Sequence, residues 1–198
     1  MPKYNRCGQA EIFSPADYAR LFRQVKNPGH RLLLSLLKYT GERIGAVCRL
    51  RVTDVYVDVE SRTPAPNIFF DKFSRKGSPD GSRESHSVPT NENLAAELRQ
   101  FSPPAGKWLF PSSRRPGQSV SPKSVDKWFR IALERAGLKP KGYSLHSTRR
   151  TLVTTLARSG VPLPVIKKIT GHKNMQTLQR YVEVDPEEIK KAVNQLPF

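Results

Sequence analysis

Six residues of this chain are suited to chemistry on an anion: Arg43, Lys76, His146, Arg149, His172 and Tyr181. Arg43 follows Thr40-Gly41-Glu42 and precedes the apolar Ile44, which sets it beside a helix start. A guanidinium there can grip a phosphate through two parallel hydrogen bonds, with helix amides adding positive potential. A structural ion pair with Glu42 or Asp54 explains the same residue equally well. Arg149 stands three residues before Leu152 and seven before Leu156, so its stem joins the apolar stripe of a helix. A permanent charge on an inward face needs a strong anionic partner, and few acids lie near it in sequence. His146, one helical turn upstream, can approach the same anion, although an H-x-x-R spacing alone also arises by chance or as a helix cap.

His172 comes directly after Gly171, a helix terminator, in a turn that can reach into a cleft or hold an ordinary surface histidine. Tyr181 shares a face with Leu178. It is either a nucleophile or an amphipathic residue with its hydroxyl at the surface. Lys76, before Gly77 in a hairpin, can enter a site from a sheet edge or simply face water, and Lys72 has the same options. The chain has no carboxylate pair suited to glycosidase work, no Ser-His-Asp arrangement, no glycine-rich phosphate loop and no acid cluster of the kind a two-metal nuclease wants.

The elements that must position these residues follow from periodicity. Ser14-Pro15 with Asp17 opens a helix carrying Leu21, Phe22 and Val25, and RLLLSLLKY reads as a helix buried on most sides, ending at Thr40-Gly41. GERIGAVCRL starts a short third helix with Ile44, Val47 and Leu50 inward. Val55, Val57 and Val59 alternate with Tyr56 and Asp58 and predict a half-buried strand; Asn67 to Phe70 and HSVP predict two more, joined by the KGSPDGSRES loop into one small antiparallel sheet. Ser121-Pro122 opens a helix with Val125, Trp128, Phe129, Ala132, Leu133 and Ala136 on one face and Gly137 as its stop. Further helices run from His146 to Gly160, from Pro164 to Thr170, and from about Asn174. The expected fold is mixed α+β and mainly α-helical: a single domain over 14–198 after an N-terminal extension at 1–13, with 185–198 as a tail.

Formal charge is +17, from 34 Lys and Arg against 17 Asp and Glu, which favours a polyanionic partner. Eleven of the basic residues fall between Lys107 and Arg150, where the acids are Asp126 and Glu134. Lys123, Lys127 and Arg130 point away from the apolar stripe of their helix and, with Arg150, are candidate contacts to a DNA backbone. Cys7 and Cys48 form neither a disulfide framework nor a zinc spacing. No leader-like or membrane-length apolar stretch is present, so the expected setting is the cytoplasm.

Taken in order, TGERIGAVCRLRVTDV, the Lys76-Gly77 turn, LHSTRRTLVTTLARSG and ITGHKNMQTLQRYVEV resemble the catalytic domain of tyrosine recombinases, the phage integrase family. The resemblance spans most of the chain from about Ser14. It implies that Arg43 is the first active-site arginine, Lys76 the sheet-loop lysine, His146 and Arg149 the H-x-x-R pair, His172 a position holding histidine or sometimes tryptophan, and Tyr181 the nucleophile. The implied activity is site-specific recombination (integration, excision or inversion) through a 3′-phosphotyrosine, with no cofactor and no ATP. The implied partner is double-stranded DNA, held by a homo-oligomer that is tetrameric in a synaptic complex, with an accessory or partner recombinase as an option and no membrane. Type IB topoisomerase-like cleavage and rejoining uses the same residue types, and a non-enzymatic DNA-binding regulator would keep the same basic face. Two departures stand out. Most members carry a separate DNA-clamping domain ahead of the catalytic one, so this chain reads as a small stand-alone enzyme like the bacterial inversion switches, a fragment, or a partner-dependent member. The KGSPDGSRESHSVP loop is longer than the usual turn, which brings Lys72 and Arg83 forward as substitutes for Lys76.

Overall fold

Ser14 starts the first helix, α1 (Pro15–Gln24): its hydroxyl accepts the Asp17 N–H at 3.1 Å, and Pro15 fills the first turn, where no N–H partner is needed. The computed structural model describes residues 10–75, 77, 81–172, 174–179, 190, 193 and 194, so Lys76, Tyr181 and most of the 185–198 tail lie outside the described residues. The expected extension at 1–13 is packed from Ala10 onward. Phe13 is buried, its ring stacked on Tyr143 at 4.0 Å and its N–H bonded to Thr151 Oγ1 at 2.9 Å.

The second helix, α2 (Pro28–Thr40), is the centre of the core, with Leu32, Leu33, Leu34, Leu36 and Leu37 all buried. Burial around most of its circumference is what a near-continuous leucine run demands. Gly41 ends it in the left-handed region at φ 63°, and a Cβ there would meet Leu152 Cδ2 at 2.7 Å, so both conformation and packing require glycine. A short α3 (Ile44–Val47) and a 3₁₀ turn (Val52–Asp54) follow.

Strand β1 (Tyr56–Asp58) pairs antiparallel with β2 (Thr63–Pro64), and β3 (Asn67–Phe70) with β4 (His86–Pro89), in register Ile68 to Val88 and Phe70 to His86. The expected single sheet is therefore two separate two-stranded ladders, and the segment at Pro64, read as an interruption, is itself an edge strand. The inward set of the first strand also differs from expectation. Val57 and Val59 are exposed, whereas Val55 and Tyr56 are buried. Val55 closes the 3₁₀ turn, so strand alternation begins only at Tyr56, whose hydroxyl donates to the Leu98 carbonyl at 2.8 Å.

Helices α4 (Glu92–Gln100), α5 (Pro122–Arg135), α6 (Leu145–Arg158), α7 (Leu163–Thr170) and α8 (Met175–Gln179) complete the described elements. Main packing is α2 against α6 and α4, with α1 against α5. Val153, Ile166 and Leu178 form a separate small cluster that joins α6, α7 and α8.

Candidate active site

Helix ends leave their last carbonyls without partners inside the helix, and those ends favour cations. Arg149, one turn into α6 and almost wholly buried, answers this at two helices at once. Its Nη1 donates to the Gly41 carbonyl past α2 at 2.5 Å and to the Thr170 carbonyl of α7 at 2.9 Å. The anionic partner expected for this inward arginine is thus supplied in part by carbonyl dipoles. Ser144 caps the same helix, its hydroxyl accepting the His146 N–H at 3.3 Å, which leaves the His146 side chain exposed in the first turn.

His172 follows the left-handed Gly171 (φ 63°) and is buried. Its Nδ1 lies 2.6 Å from Thr170 Oγ1, and that hydroxyl donates its single proton to the Ile166 carbonyl at 2.7 Å. The threonine oxygen must then accept, so Nδ1 carries the ring proton and Nε2 is the acceptor nitrogen of the neutral ring. Burial, then the positive charges of Arg149 and Arg43, push the imidazole down to about 3. Arg149 and His172 meet at Thr170, one at its carbonyl and the other at its hydroxyl, and the charge of Arg43 also reaches the ring although the three come from separate segments.

Arg43, partly buried at the N-terminal edge of α3, does not make the alternative ion pairs: among the described residues its guanidinium pairs with neither Glu42 nor Asp54. Glu42 is engaged elsewhere. Its Oε1 lies 2.8 Å from Arg75 Nε and 3.1 Å from His86 Nδ1, while Oε2 accepts the Arg43 N–H at 3.0 Å. Burial raises the Glu42 carboxyl, but the bond from His86, the charge of Arg75, the Arg43 N–H and the charge of Arg149 outweigh it and hold it below its ordinary value.

Glu42, Arg75 and His86 are the residues that sequence reasoning missed. His86 had a signal: it shares strand parity with the buried Val88, so it faces inward. Glu42 had a weaker one, its place at the end of a buried helix, and Arg75 in an irregular loop had none. Of the loop substitutes, Lys72 is exposed with Nζ 5.2 Å from the Phe73 ring centre, and Arg83 is exposed with Nη1 3.5 Å from the Arg75 carbonyl. Lys76 and Tyr181 fall outside the described residues. On α5, Lys123, Lys127 and Arg130 are exposed as expected, Arg130 already paired with Asp126 at 2.7 Å. Arg150 is half-buried and donates to the Ala10 carbonyl.

Among the described residues no group of three or more His, Cys, Asp and Glu could hold a metal ion, and no helix is long and apolar enough to cross a membrane.

The phage integrase family profile matches residues 12–188. The chain is 30% identical over 191 residues to a tyrosine recombinase of Pseudothermotoga lettingae, covering 94% of this chain and 60% of that protein. It is 26% identical over 167 residues to tyrosine recombinase XerA of Pyrococcus furiosus, covering 82% and 53%. It therefore spans little more than half the length of these curated relatives. In three dimensions it superposes on the XerA recombinase crystal structure with a TM-score of 0.68 at 22% identity, covering 96% of this chain and 67% of that one. The catalytic domain of bacteriophage HP1 integrase gives 0.65 at 22% identity, covering 96% and 97%. With this fold, this arrangement of Arg43, Arg149 and His172, and a family match across most of its length, the chain belongs to the phage integrase family, as a tyrosine recombinase catalytic domain.

Proposed function

We propose that this chain cleaves and rejoins DNA strands in site-specific recombination, using Tyr181 as nucleophile. The observation that carries the reading is the convergence of two guanidinium groups and a buried imidazole from three segments onto one electrostatic site. A phosphodiester under attack gathers negative charge on its nonbridging oxygens, and preorganised cations stabilise that charge most where water is excluded.

Arg43 and Arg149 hold those oxygens. The phenol, with a reference pKa of about 10, gives its proton to the exposed His146, and its oxygen bonds to phosphorus as the bond from phosphorus to the 5′ oxygen breaks. A lysine of the β3–β4 loop, Lys76 or its described neighbour Lys72, protonates the departing 5′ oxygen; Arg83 is the third candidate. The products are a 3′-phosphotyrosine and a free 5′ hydroxyl. Attack by a 5′ hydroxyl of another strand reverses the step, conserving the ester bond without ATP. His172 receives the phosphate as a neutral ring, and the arriving anion favours uptake of a second proton from solvent on Nε2, which then donates to a nonbridging oxygen.

Lys123, Lys127, Arg130 and Arg150 supply sequence-independent backbone contacts to cytoplasmic DNA. Exchange of strands between two duplexes calls for four protomers, and the 185–198 tail is the segment assigned to docking on a neighbour. The deciding experiment is a denaturing-gel assay for a covalent protein-DNA adduct on nicked suicide duplexes. An adduct through a 3′ phosphate that Tyr181→Phe abolishes supports the reading. Specific binding without an adduct turns it toward a regulator, and adduct formation without synapsis of paired sites turns it toward a topoisomerase.

A further inference from the structure

The carboxyl end of α7 is where two guanidinium groups and an imidazole from three different elements meet. Arg149 of α6 takes the Thr170 carbonyl at 2.9 Å, His86 of β4 approaches the Lys168 carbonyl with Nε2 at 2.7 Å, and Arg75 of the β3–β4 loop takes the Gly171 carbonyl at 3.2 Å. Behind two of them stands one buried carboxylate. Glu42 faces Arg75 at 2.8 Å as an ion pair rather than an aligned hydrogen bond, and it faces His86 Nδ1 at 3.1 Å. A backbone carbonyl only accepts, so His86 Nε2 donates to Lys168, which turns Nδ1 toward Glu42. Arg75 also reaches back to the Glu84 carbonyl at 3.0 Å, binding the two sides of its own loop. Gly171 is left-handed (φ 63°), and a Cβ on it would run into Arg75 Nη2 and lie 3.2 Å from His86 Cε1.

We propose that Glu42, Arg75 and His86 form a positioning latch that ties the β3–β4 hairpin to the end of α7 and so fixes His172 and Arg149 for reaction on a phosphodiester. The latch has a mechanical logic. Most of α7 packs on the small α6–α7–α8 cluster, and its end reaches the main core through the partly buried Ile169, so few apolar contacts fix that end on the core. Hydrogen bonds from guanidinium groups at a helix terminus are directional where apolar packing is not. The Glu42 carboxylate is also joined through Oε2 to the Arg43 backbone, so one side chain registers the first arginine, the hairpin and the His172 turn against each other. None of the three need touch DNA.

This inference rests on the cleavage reading for its catalytic consequence but not for its structural one, and the test separates them. Glu42→Gln keeps the shape and sets an amide donor against either Arg43 N–H or the His86 and Arg75 donors. Arg75→Gln removes the loop cation and leaves the core intact, which covers the outcome that the first variant fails to fold. Hydrogen exchange in segment 163–172 should rise at least about tenfold in either variant while segment 15–40 stays unchanged, as for a local opening. Single-turnover adduct formation at saturating protein should fall on the order of 100-fold, with DNA affinity within about threefold of wild type, because misplacement of reacting groups lowers rate more than binding. Uniform acceleration of exchange across both segments, no change at 163–172, or a full cleavage rate despite local opening would each overturn the latch. If wild-type protein forms no adduct with any suicide duplex, the cleavage reading fails instead, and the exchange pattern alone still supports or overturns the mechanical part.

Discussion

Positive charge does two different jobs in this molecule. On α5, Lys123, Lys127 and Arg130 stand on an exposed face over an apolar stripe, Arg130 paired with Asp126. At the junction of α2, α6 and α7, Arg149 and Arg75 are nearly enclosed, their donors directed at carbonyls and at Glu42. Exposed charges act through long-range attraction and counterion release, so their effect is on affinity and fades with salt. Enclosed charges are held at fixed positions with little screening, so their effect is on geometry and on charge that develops during reaction. A buried cation that alters only affinity, or an exposed one that alters only rate, would contradict this division of labour.

Arg149→Lys should give the largest effect. It retains the charge but loses the planar, multi-donor guanidinium, whose Nη1 alone already holds both the Gly41 and Thr170 carbonyls. Single-turnover cleavage of a suicide duplex should drop on the order of a thousandfold, about 4 kcal/mol of transition-state stabilisation, while gel-shift affinity changes little. Comparable losses of rate and affinity would erase the distinction between the two regions. Next comes the opposite experiment, Lys123→Ala with Lys127→Ala. The slope of log K against log salt should decrease in steepness by about 2, with affinity reduced alike on specific and nonspecific duplexes and the cleavage rate at saturation unchanged.

A smaller effect appears in stability against pH. His172 is buried as a neutral ring with its folded value near 3, against an ordinary 6.5 when exposed. Between those values the unfolded chain binds a proton that the folded one does not, so stability rises with pH across that window and is lost as pH falls from 6.5 toward 3. His30, also lowered by burial, acts in the same direction. Glu42, held below its ordinary 4.5, adds its own loss only under more acid conditions. Urea unfolding of His172→Gln should therefore show a shallower decline between pH 6.5 and 4.5 than wild type. An unaltered slope would mean that the ring charges readily in the folded protein.

The helices were the part of the fold most readable in advance, because caps and periodicity are local properties. Ser14-Pro15, Ser121-Pro122, Gly41 and Gly171 all lie at the boundaries their chemistry dictates. The sheet was less readable: a 3₁₀ turn at Val52–Asp54 shifts the parity of the following valines, and only its tertiary setting decides that. In the site, Arg149 was legible because a charged residue inside an apolar stripe contradicts its surroundings. Its partners were not. Backbone carbonyls at helix ends exist for every sequence, and which cation reaches which end depends on the packing of α2, α6 and α7. Glu42 looked like a partner for the Arg43 side chain, yet the side chains it meets are Arg75 and His86, brought close by the hairpin.

The smallest expected effect tests the exposed region from within. Arg130 Nε sits 2.7 Å from Asp126 Oδ2, one turn earlier on α5, with both side chains substantially exposed. Such a pair contributes only about 0.3–0.5 kcal/mol to a helix, but it partly neutralises a charge that would otherwise be offered to DNA. Lys127 has no such neighbour among the described ion pairs, so Arg130→Ala should weaken binding less than Lys127→Ala. Asp126→Asn should do the reverse, tightening DNA binding by about twofold to threefold at low salt and by less as salt rises, since the added attraction is screened. Its melting temperature should stay within about 1 °C to 2 °C of wild type, given the small worth of an exposed pair. A larger affinity gain that resisted salt would mean that Arg130, once released, makes an enclosed contact in the complex, and the division between exposed and buried charge would then have to be drawn on the bound state.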